Sequence, residues 1–343
     1  MGKYILKRSC YIVLVFFILS FLIFMIYNML PIDKAAQQAS EEAKHYKGPD
    51  PAAYYAQRYE YWQEVYGTDG TKLDRYFRWL GLKKYTGGTY HGLLQGNFGF
   101  SSGHNKPVAE VIAEPLKNTV FINLFATCFG LGITIPLGIF CAVKRGSKGD
   151  VGVQVGTLVG YSIPTFIIAI VFIWLFAVVL GIFPVSGMKS PDYIHMTSWQ
   201  QFGDRMYHLA LPLIVMTFCS LGGMTRFVRA AMIEALSMDC IRTARAKGLR
   251  EKVVIYVHAW RNAMIPIVTL IIGWFLGIFS GSLMIENIFA LNGIGRTYNV
   301  ALMANDNEVV LALQMFYITI SLVGNLLIDL AYGMVDPRVR VNK

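Results

Sequence analysis

Six apolar runs restrict what this sequence can fold into. They cover residues 10–30, 119–143, 151–182, 207–228, 263–285 and 309–334. A helix needs about 20 apolar residues to cross the hydrocarbon core of a bilayer, and each run is long enough. Only 15% of the residues are charged, whereas soluble domains carry about a quarter. The sequence therefore predicts an all-α integral membrane protein with six transmembrane helices.

The first run is interpreted as an uncleaved span rather than as a signal peptide. Basic residues precede it, as they do in both kinds of segment. Its apolar stretch is longer than a usual signal-peptide core, and no small-x-small cleavage site follows. We expect residues 1–30 to form the N-terminal cytoplasmic end and the first transmembrane helix.

Basic residues in the short loops predict the orientation of the spans. One set lies at the two ends of the chain and after the second and fourth runs: Lys3, Lys7, Arg8, Lys144, Arg145, Lys148, Arg229, Arg338, Arg340 and Lys343. The alternate loops hold only Lys189, Arg205 and Arg296, the first two offset by acidic neighbours. Because cytoplasmic loops are enriched in lysine and arginine, both termini are predicted to be cytoplasmic. The net charge of +10 thus indicates orientation and not nucleic-acid binding.

A polar insert, residues 31–117, follows the first span and is predicted to be extracytoplasmic. Tyr55, Tyr59, Trp62 and Tyr66 recur at three- and four-residue spacing, which predicts a helix with an aromatic face. Packing onto the spans or onto a partner is favoured for these side chains over binding substrate. Neither the histidines nor the cysteines show metal-ligand spacing, so no metal site is predicted.

Glycine stripes and prolines mark the interiors of the spans. Small residues at every fourth position let two helices approach closely, and two such sets predict helix packing: Gly152, Gly156, Gly160, Gly273, Gly277 and Gly281. Prolines at or near span interiors predict kinks, which neighbouring groups can accommodate in membrane helices: Pro136, Pro164, Pro212 and Pro266.

The sequence DCIRTARAKGLREKVVIYVHAWRNAMIPIVT, residues 239–269, is basic and lies between the fourth and fifth apolar runs. Its first part favours a helix up to Gly248, because glycine adopts the left-handed conformation that ends helices. A second helix then leads into the fifth span. Two interpretations remain open at this point: a lever joined rigidly to a span, or an interfacial helix resting on anionic lipid.

RTARAKG followed by HAWRNAMIP resembles the cytoplasmic loop of binding-protein-dependent ABC transporter permeases of the oligopeptide, dipeptide and nickel branch. Five further stretches resemble that family in the same order: GNFGFSS, YSIPTF, FPVSG, MIENIFALNGIGR and DLAYGMVDPRVR. The lead acid of the general EAA loop is absent, because Arg242 occupies that position. Phe100 stands where the family usually has tyrosine in the first of these stretches, and Cys240 replaces the usual tyrosine before RTARAKG.

The resemblance implies a type I ABC importer permease fold. Residues 118–335 would form a five-helix permease core, with a cytoplasmic coupling segment at 229–262 and a cytoplasmic tail at 336–343. The resemblance also implies that the coupling segment docks into a separate ATPase subunit and transmits its motion to the spans. The residues assigned to coupling are Arg242, Thr243, Ala244, Arg245, Ala246, Lys247, Gly248, Leu249, His258, Arg261, Asn262 and Pro266.

Within that set, small residues would allow close approach to the ATPase and the basic residues would pair with its acids or with lipid phosphates. His258, Arg261, Asn262 and Pro266 would hold the helix to the fifth span. The chain contains no GxxxxGK[ST] sequence, so it is expected to be a transport subunit that binds no cofactor and hydrolyses no ATP itself.

The implied partners are two cytoplasmic ATPase subunits carrying ATP and Mg²⁺, a homologous second permease, and a periplasmic or lipid-anchored binding protein that delivers a peptide. The implied location is the bacterial cytoplasmic membrane. Candidate pathway residues are Ser162, Pro164, Thr165, Phe166, Trp174, Trp274, Ser280 and Glu286. Glu286 is an ionisable group at the end of a span, which suggests function, but a local hydrogen bond to the ALNGIG turn is an equal alternative.

Other functions stay open alongside peptide import. The same fold would serve nickel or another small solute, because the binding protein usually selects the cargo. A membrane receptor or anchor acting through the external insert is a less favoured alternative. A membrane-embedded enzyme is disfavoured because the sequence contains no HExxH, no GxSxG and no paired acids within the spans.

Overall fold

A computed structural model of the chain describes residues 2–29, 33–84 and 90–335. The N-terminal part contains α1 (Gly2–Tyr27), α2 (Lys34–His45), α3 (Pro51–Val65), α4 (Lys72–Leu80) and an antiparallel hairpin of β1 (Phe100–Ser101) and β2 (Lys106–Pro107). The remainder contains α5 (Val108–Val143), α6 (Lys148–Ser162), α7 (Thr165–Phe172), α8 (Ser198–Ser237), α9 (Asp239–Ala246), α10 (Glu251–Val253), α11 (Trp260–Gly277), α12 (Leu283–Ile288), α13 (Ile294–Met303) and α14 (Asn307–Val335).

Among the described residues, five helical stretches are long and apolar enough to cross a membrane: Ile5–Tyr27, Val108–Val143, Ser198–Ser237, Glu251–Gly277 and Asn307–Leu330. A sixth is formed only if the bent pair of α6 and Thr165–Val179 counts as one span. The all-α membrane fold predicted from the sequence is therefore confirmed. The orientation of the spans stays a prediction, and the tail with Arg338, Arg340 and Lys343 lies outside the described residues.

The third predicted span is not the single helix that its apolar run suggested. α6 and Thr165–Val179 meet at an angle of 102°, and Ile163 and Pro164 between them have extended backbone conformations. Proline lacks an N–H donor and disfavours helical geometry in the residue before it. Pro164 therefore breaks the helix, whereas Pro136, Pro212 and Pro266 lie inside continuous helices. The kink predicted at Pro164 is therefore present, and at 102° it is large enough to interrupt the helix.

The fifth predicted span also has different limits. Its helix, α11, ends at Gly277, and a turn separates it from the short helix α12. Before α11, a π-helical stretch at Val254–Ala259 joins α10 to the span. The apolar run continued through residue 285 because α12 is itself buried, with Ile285 2% exposed. Hydrophobicity alone therefore did not show where the span ends.

The chain forms two structural units. One contains Ser9–Ile112 and Ala301–Ile318, and the other contains Ala113–Val300 with residues from both chain ends. Two apolar clusters form the core of the second unit. One joins α5, α8, α9 and α11 around Val228, Met232 and Ile267, and the other surrounds Leu209 and Phe289.

The insert is mostly helical, as predicted. Side chains of Asp33, Asp50 and Thr71 accept hydrogen bonds from the first turns of α2, α3 and α4, which satisfies N–H groups that have no partner within the helix. α2 and α3 are joined by Glu42, which binds Arg58 and accepts a 3.1 Å hydrogen bond from Trp62 Nε1.

The aromatic residues of α3 contact one another and the insert itself. Tyr55 stacks on Tyr59, and Trp62 stacks on Tyr66. Tyr59 also donates a 2.7 Å hydrogen bond to Asp33 at the start of α2. The contacts described for these side chains therefore lie within the insert itself, whereas the sequence favoured packing onto the spans or onto a partner.

The GNFGFSS stretch, residues 96–102, contains the first strand of the hairpin, and the buried carboxylate of Asp306 holds the hairpin in place. Asp306, 1% exposed before the start of α14, accepts hydrogen bonds from Ser101 Oγ at 2.5 Å and from the Gly103 N–H at 3.1 Å. His104 Nδ1 lies 3.2 Å from the same Ser101 oxygen. The role of these residues in the structure is to fix the hairpin within its own unit.

Candidate functional site

Residues 239–269 form the helix–turn–helix that the sequence predicted. α8 ends at Ser237, the extended residue Met238 redirects the chain, and α9 follows at once. Gly248 has φ of +74°, the left-handed conformation that other residues adopt at a cost. A Cβ atom there would meet nothing within 4 Å. Glycine is thus favoured at this turn by the backbone conformation and not by crowding within the chain.

One face of α9 packs onto the membrane helices of the same chain. Ile241 and Ala244 are 0% and 5% exposed and belong to the cluster that includes Val254 and Met232. Their spacing of three residues places them on one side of the helix. Ala244, which was expected to face an ATPase, instead anchors α9 inward. This expectation is corrected by the structure.

The opposite face of α9 and its turn is exposed and basic. It presents Arg242, Thr243, Arg245, Ala246, Lys247, Gly248 and Leu249. Arg245 Nη2 lies 2.7 Å from Glu251 Oε1 across the Gly248 turn. Both side chains are about half exposed, and such exposed pairs contribute at most about 1 kcal/mol. The pair therefore leaves Arg245 able to exchange its partner at little cost.

Asn262 lies close to α9 from the start of the fifth span. Its side-chain Nδ2 donates to the His258 carbonyl at 2.8 Å and lies 3.9 Å from Cys240 Sγ on α9. The side chains of His258, Arg261 and Pro266 are exposed, and the role predicted for them in holding the helix to the fifth span stays a prediction. Val254, Ile255 and Ala259, each at most 7% exposed, provide apolar packing in the π-helical stretch before α11.

A buried ion pair between α6 and α8 was not anticipated from the sequence. Arg229 Nε and Nη2 each lie 2.8 Å from an oxygen of Asp150, a two-pronged geometry that guanidinium and carboxylate groups favour. Asp150 is 1% exposed and also accepts from the Gly146 N–H and from Gln154 Nε2. This cluster fixes the first turn of α6 to the part of α8 that leads into α9.

Glu286 is buried, 3% exposed, and every described hydrogen bond that its side chain accepts is local to the second unit. Its Oε1 accepts from Thr119 Oγ1 at 3.0 Å and from the Ser282 N–H at 3.2 Å. Its Oε2 accepts from the Arg296 N–H at 2.9 Å. The structure thus contains the local arrangement that was one of two alternatives for Glu286, in which the carboxylate accepts a hydrogen bond from the first turn of α13, where the ALNGIG sequence ends.

The other pathway candidates are not brought together at one place. Ser162, Pro164, Thr165 and Phe166 lie at the break between α6 and α7, where all but Thr165 are exposed. Trp174 is 60% exposed on the π-helical continuation of α7. Trp274 packs against the cluster around Met232, and the Ser280 carbonyl accepts a 2.7 Å hydrogen bond from Asn123.

The two glycine stripes have mixed surroundings. A Cβ at Gly281 would lie 2.4 Å from the backbone nitrogen of Gly295, and one at Gly160 would lie 3.1 Å from the Phe218 ring. At the four remaining positions a Cβ would meet nothing within 4 Å of this chain: Gly152, Gly156, Gly273 and Gly277. Of the six glycines, Gly160 and Gly281 are the ones at which another part of this chain packs closely against the backbone.

Residues 134–341 match the family described as binding-protein-dependent transport system inner membrane component. The chain belongs to this family. It is 33% identical over 343 residues to the oligopeptide transport system permease protein AppB of Bacillus subtilis (strain 168), covering 99% of each chain. It is 32% identical over 361 residues to the dipeptide transport system permease protein DppB of Escherichia coli (strain K12), covering both chains fully.

A third relative is the peptidoglycan transport system permease protein YejB of Agrobacterium fabrum, 35% identical over 246 residues and covering 71% of this chain and 68% of the relative. Family membership confirms the resemblance noted in the sequence. The protein is therefore a permease subunit of an ABC import system, and a multi-pass protein of the bacterial inner membrane.

Proposed function

We propose that this permease subunit imports oligopeptides or dipeptides. The observation that carries the proposal is full-length similarity to two permeases, AppB and DppB, whose names specify oligopeptide and dipeptide transport. That similarity includes the insert and the first span and is not confined to the family core at residues 134–341. Nickel import by the same fold is the alternative that the experiment below distinguishes.

The exposed face of α9 is the proposed docking surface for a cytoplasmic ATPase subunit. Its basic side chains would pair with acidic groups of that subunit, and Ala246 and Gly248 would permit close approach. Two ATPase subunits would supply ATP and Mg²⁺, since this chain lacks a GxxxxGK[ST] sequence. A second permease and an extracytoplasmic binding protein complete the proposed assembly.

The packing of α9 supports a role in transmitting motion. Ile241 and Ala244 are buried on the cluster that α8 and α11 share, so displacing α9 would displace both helices. The Asp150–Arg229 pair ties α6 to α8, which extends the same connection to a third helix. Such a rigid connection allows ATP binding to bias the balance between inward-facing and outward-facing states.

Uptake measurements test the proposal. Cells that lack the chain would receive the wild type, Gly248→Asp or Gly96→Asp, with uptake of labelled short peptides and of nickel measured separately. Gly96 is a matched control because its φ is +77° and a Cβ there also meets nothing within 4 Å. Aspartate tolerates this backbone conformation better than most residues, so both variants are expected to insert normally.

The expected result is peptide uptake with the wild type and with Gly96→Asp, and loss of uptake with Gly248→Asp at an equal amount of protein in the membrane. If nickel uptake depends on the chain and peptide uptake does not, the cargo is nickel and the proposal of peptide import is refuted. Normal peptide uptake by Gly248→Asp would refute the assignment of α9 and its turn to coupling.

A further inference from the structure

A groove lies between α1 and α4, within the unit that contains the insert. It measures about 360 Å³ and is lined by Leu14, Phe17, Ile18, Phe21, Leu22, Tyr76, Phe77, Leu80 and Leu82. The hydroxyl of Tyr76 is held by Ser20 Oγ at 2.8 Å, so it does not require a polar partner in the groove. The volume falls in the range of about 300–1,000 Å³ that is typical of small-molecule sites.

The α1 wall of this groove is the surface of a membrane span. Only 11% of the most apolar 18-residue part of Ile5–Tyr27 is buried within the chain. Leu14, Ile18 and Leu22 recur at every fourth residue and are 58%, 49% and 49% exposed. They form one continuous stripe along the helix. The groove therefore opens toward the hydrocarbon of the bilayer, where an acyl chain is the apolar group available to fill it.

The α4 wall has the composition of a helix that lies in the membrane interface. Tyr76 and Leu80 are buried against Phe24 of α1, and Trp79 packs on the same ring at 5.3 Å. Leu73 and Phe77 are 54% and 42% exposed, although both are large and apolar. Interfacial helices combine such aromatic and leucine residues with lysine and arginine on the polar face.

Charge around the groove favours an anionic ligand. Residues 69–84 carry five basic and two acidic side chains. Lys83 Nζ lies 2.5 Å from Asp74 Oδ1, and its hydrogen bond, with that of Thr71, lowers the pKa of Asp74 to about 2. Lys84, two residues beyond the lining residue Leu82, contributes a further positive charge above the Tyr90 ring. Each lysine near a membrane surface strengthens binding of anionic lipid about fivefold.

We propose that the groove binds one acyl chain of an anionic phospholipid, with the headgroup beside Lys83 and Lys84. The lipid comes from the leaflet that the insert faces. It fills the space between the span and α4, and so it stabilises the position of α4 on α1. This site is independent of cargo and of the ATPase subunits.

Native mass spectrometry of the full-length chain, purified in the complex that it forms in the membrane, tests the site. The complex is exchanged into detergent with phosphatidylglycerol or phosphatidylcholine, and the lipid that remains bound is counted. Ile18→Trp fills the groove. Val13→Trp is the matched control, because Val13 is 53% exposed on α1 and does not line the groove.

The wild type and Val13→Trp are expected to retain one more phosphatidylglycerol per chain than Ile18→Trp. Lys84→Gln should weaken phosphatidylglycerol binding about fivefold and leave phosphatidylcholine binding unchanged. Equal retention by Ile18→Trp and Val13→Trp would overturn the proposal. So would a photoreactive group at Ile18 that cross-links a second polypeptide instead of lipid, because a protein helix would then fill the groove.

Discussion

Removing the Asp150 carboxylate tests whether its ion pair with Arg229 holds α6 to α8. Asp150→Ala leaves the Arg229 guanidinium without the two 2.8 Å contacts that it makes in the wild type. It also removes the acceptor for the Gly146 N–H. Breaking a buried ion pair from one side costs about 3–5 kcal/mol. Because Arg229 is 20% exposed and regains some water, we expect the lower end, about 3 kcal/mol.

Arg229→Met separates the cost of an unpaired charge from the value of the pair. The double variant Asp150→Ala/Arg229→Met has no unpaired charge, so it should be less destabilised than the sum of the single variants. The coupling between two contacting residues is expected to be about 1–3 kcal/mol. Asp239→Ala is the control, since its pair with Arg242 is 3.4 Å long and highly exposed, and it should change stability by less than about 1 kcal/mol.

The assay measures unfolding of the purified chain in mild detergent. Denaturant titration gives the free energy of unfolding, and heating gives the melting temperature. Expression and membrane insertion are checked first by quantifying the chain in membranes. Single substitutions that are additive would refute the reasoning, because additivity means that the two side chains do not interact. An Asp150→Ala variant as stable as Asp239→Ala would refute it too.

Two further predictions use the same unfolding assay. Gly281→Ala should destabilise the chain by roughly 1–3 kcal/mol, because its Cβ would lie 2.4 Å from the Gly295 nitrogen. Gly273→Ala in the same stripe meets nothing within 4 Å and should stabilise the helix by about 0.5–1 kcal/mol; equal effects would contradict the packing described. Glu286→Gln should cost about 1–3 kcal/mol, because an amide NH₂ would face a backbone or hydroxyl donor in place of a carboxylate oxygen. Unchanged stability of Glu286→Gln would show that those hydrogen bonds contribute nothing.

Local chemistry made part of the fold predictable. Composition and run length identified the membrane class, and Gly248 identified the turn after α9 because glycine is favoured at positive φ. The aromatic spacing in α3 identified a helix. In each case the signal lies within about 20 neighbouring residues, which is the range over which helical periodicity and capping act.

Contacts between distant residues were not predictable in the same way. Asp150 and Arg229 are 79 residues apart in the sequence, and Thr119 and Glu286 are 167 apart. Nothing near either residue indicates its partner. The sequence did contain one indication of the Asp150–Arg229 pair. Arg229 lies at the end of an apolar run, and a buried arginine needs a partner. The basic-loop argument used Arg229 only to indicate orientation.

Ala244 and Pro164 show that a correctly predicted helix or bend does not determine the role of a single residue in it. The α9 helix was predicted, but which of its faces points inward depends on where α8 and α11 lie. Pro164 was expected to kink a span, yet a proline can bend or break a helix according to what neighbouring groups satisfy. Both outcomes depend on tertiary packing, and a single sequence does not contain that information.

Photo-cross-linking from α9 tests the central claim most directly. Ala246→Cys, on the exposed face, would be labelled with a benzophenone maleimide in a background in which all five native cysteines, which are free thiols, are replaced. It would then be irradiated in membranes that contain the whole transporter. Lys144→Cys, exposed in the turn between α5 and α6, is the control. The account predicts that Ala246→Cys cross-links the ATPase subunit and that Lys144→Cys does not. Cross-linking of the ATPase subunit from Lys144→Cys alone would contradict the account.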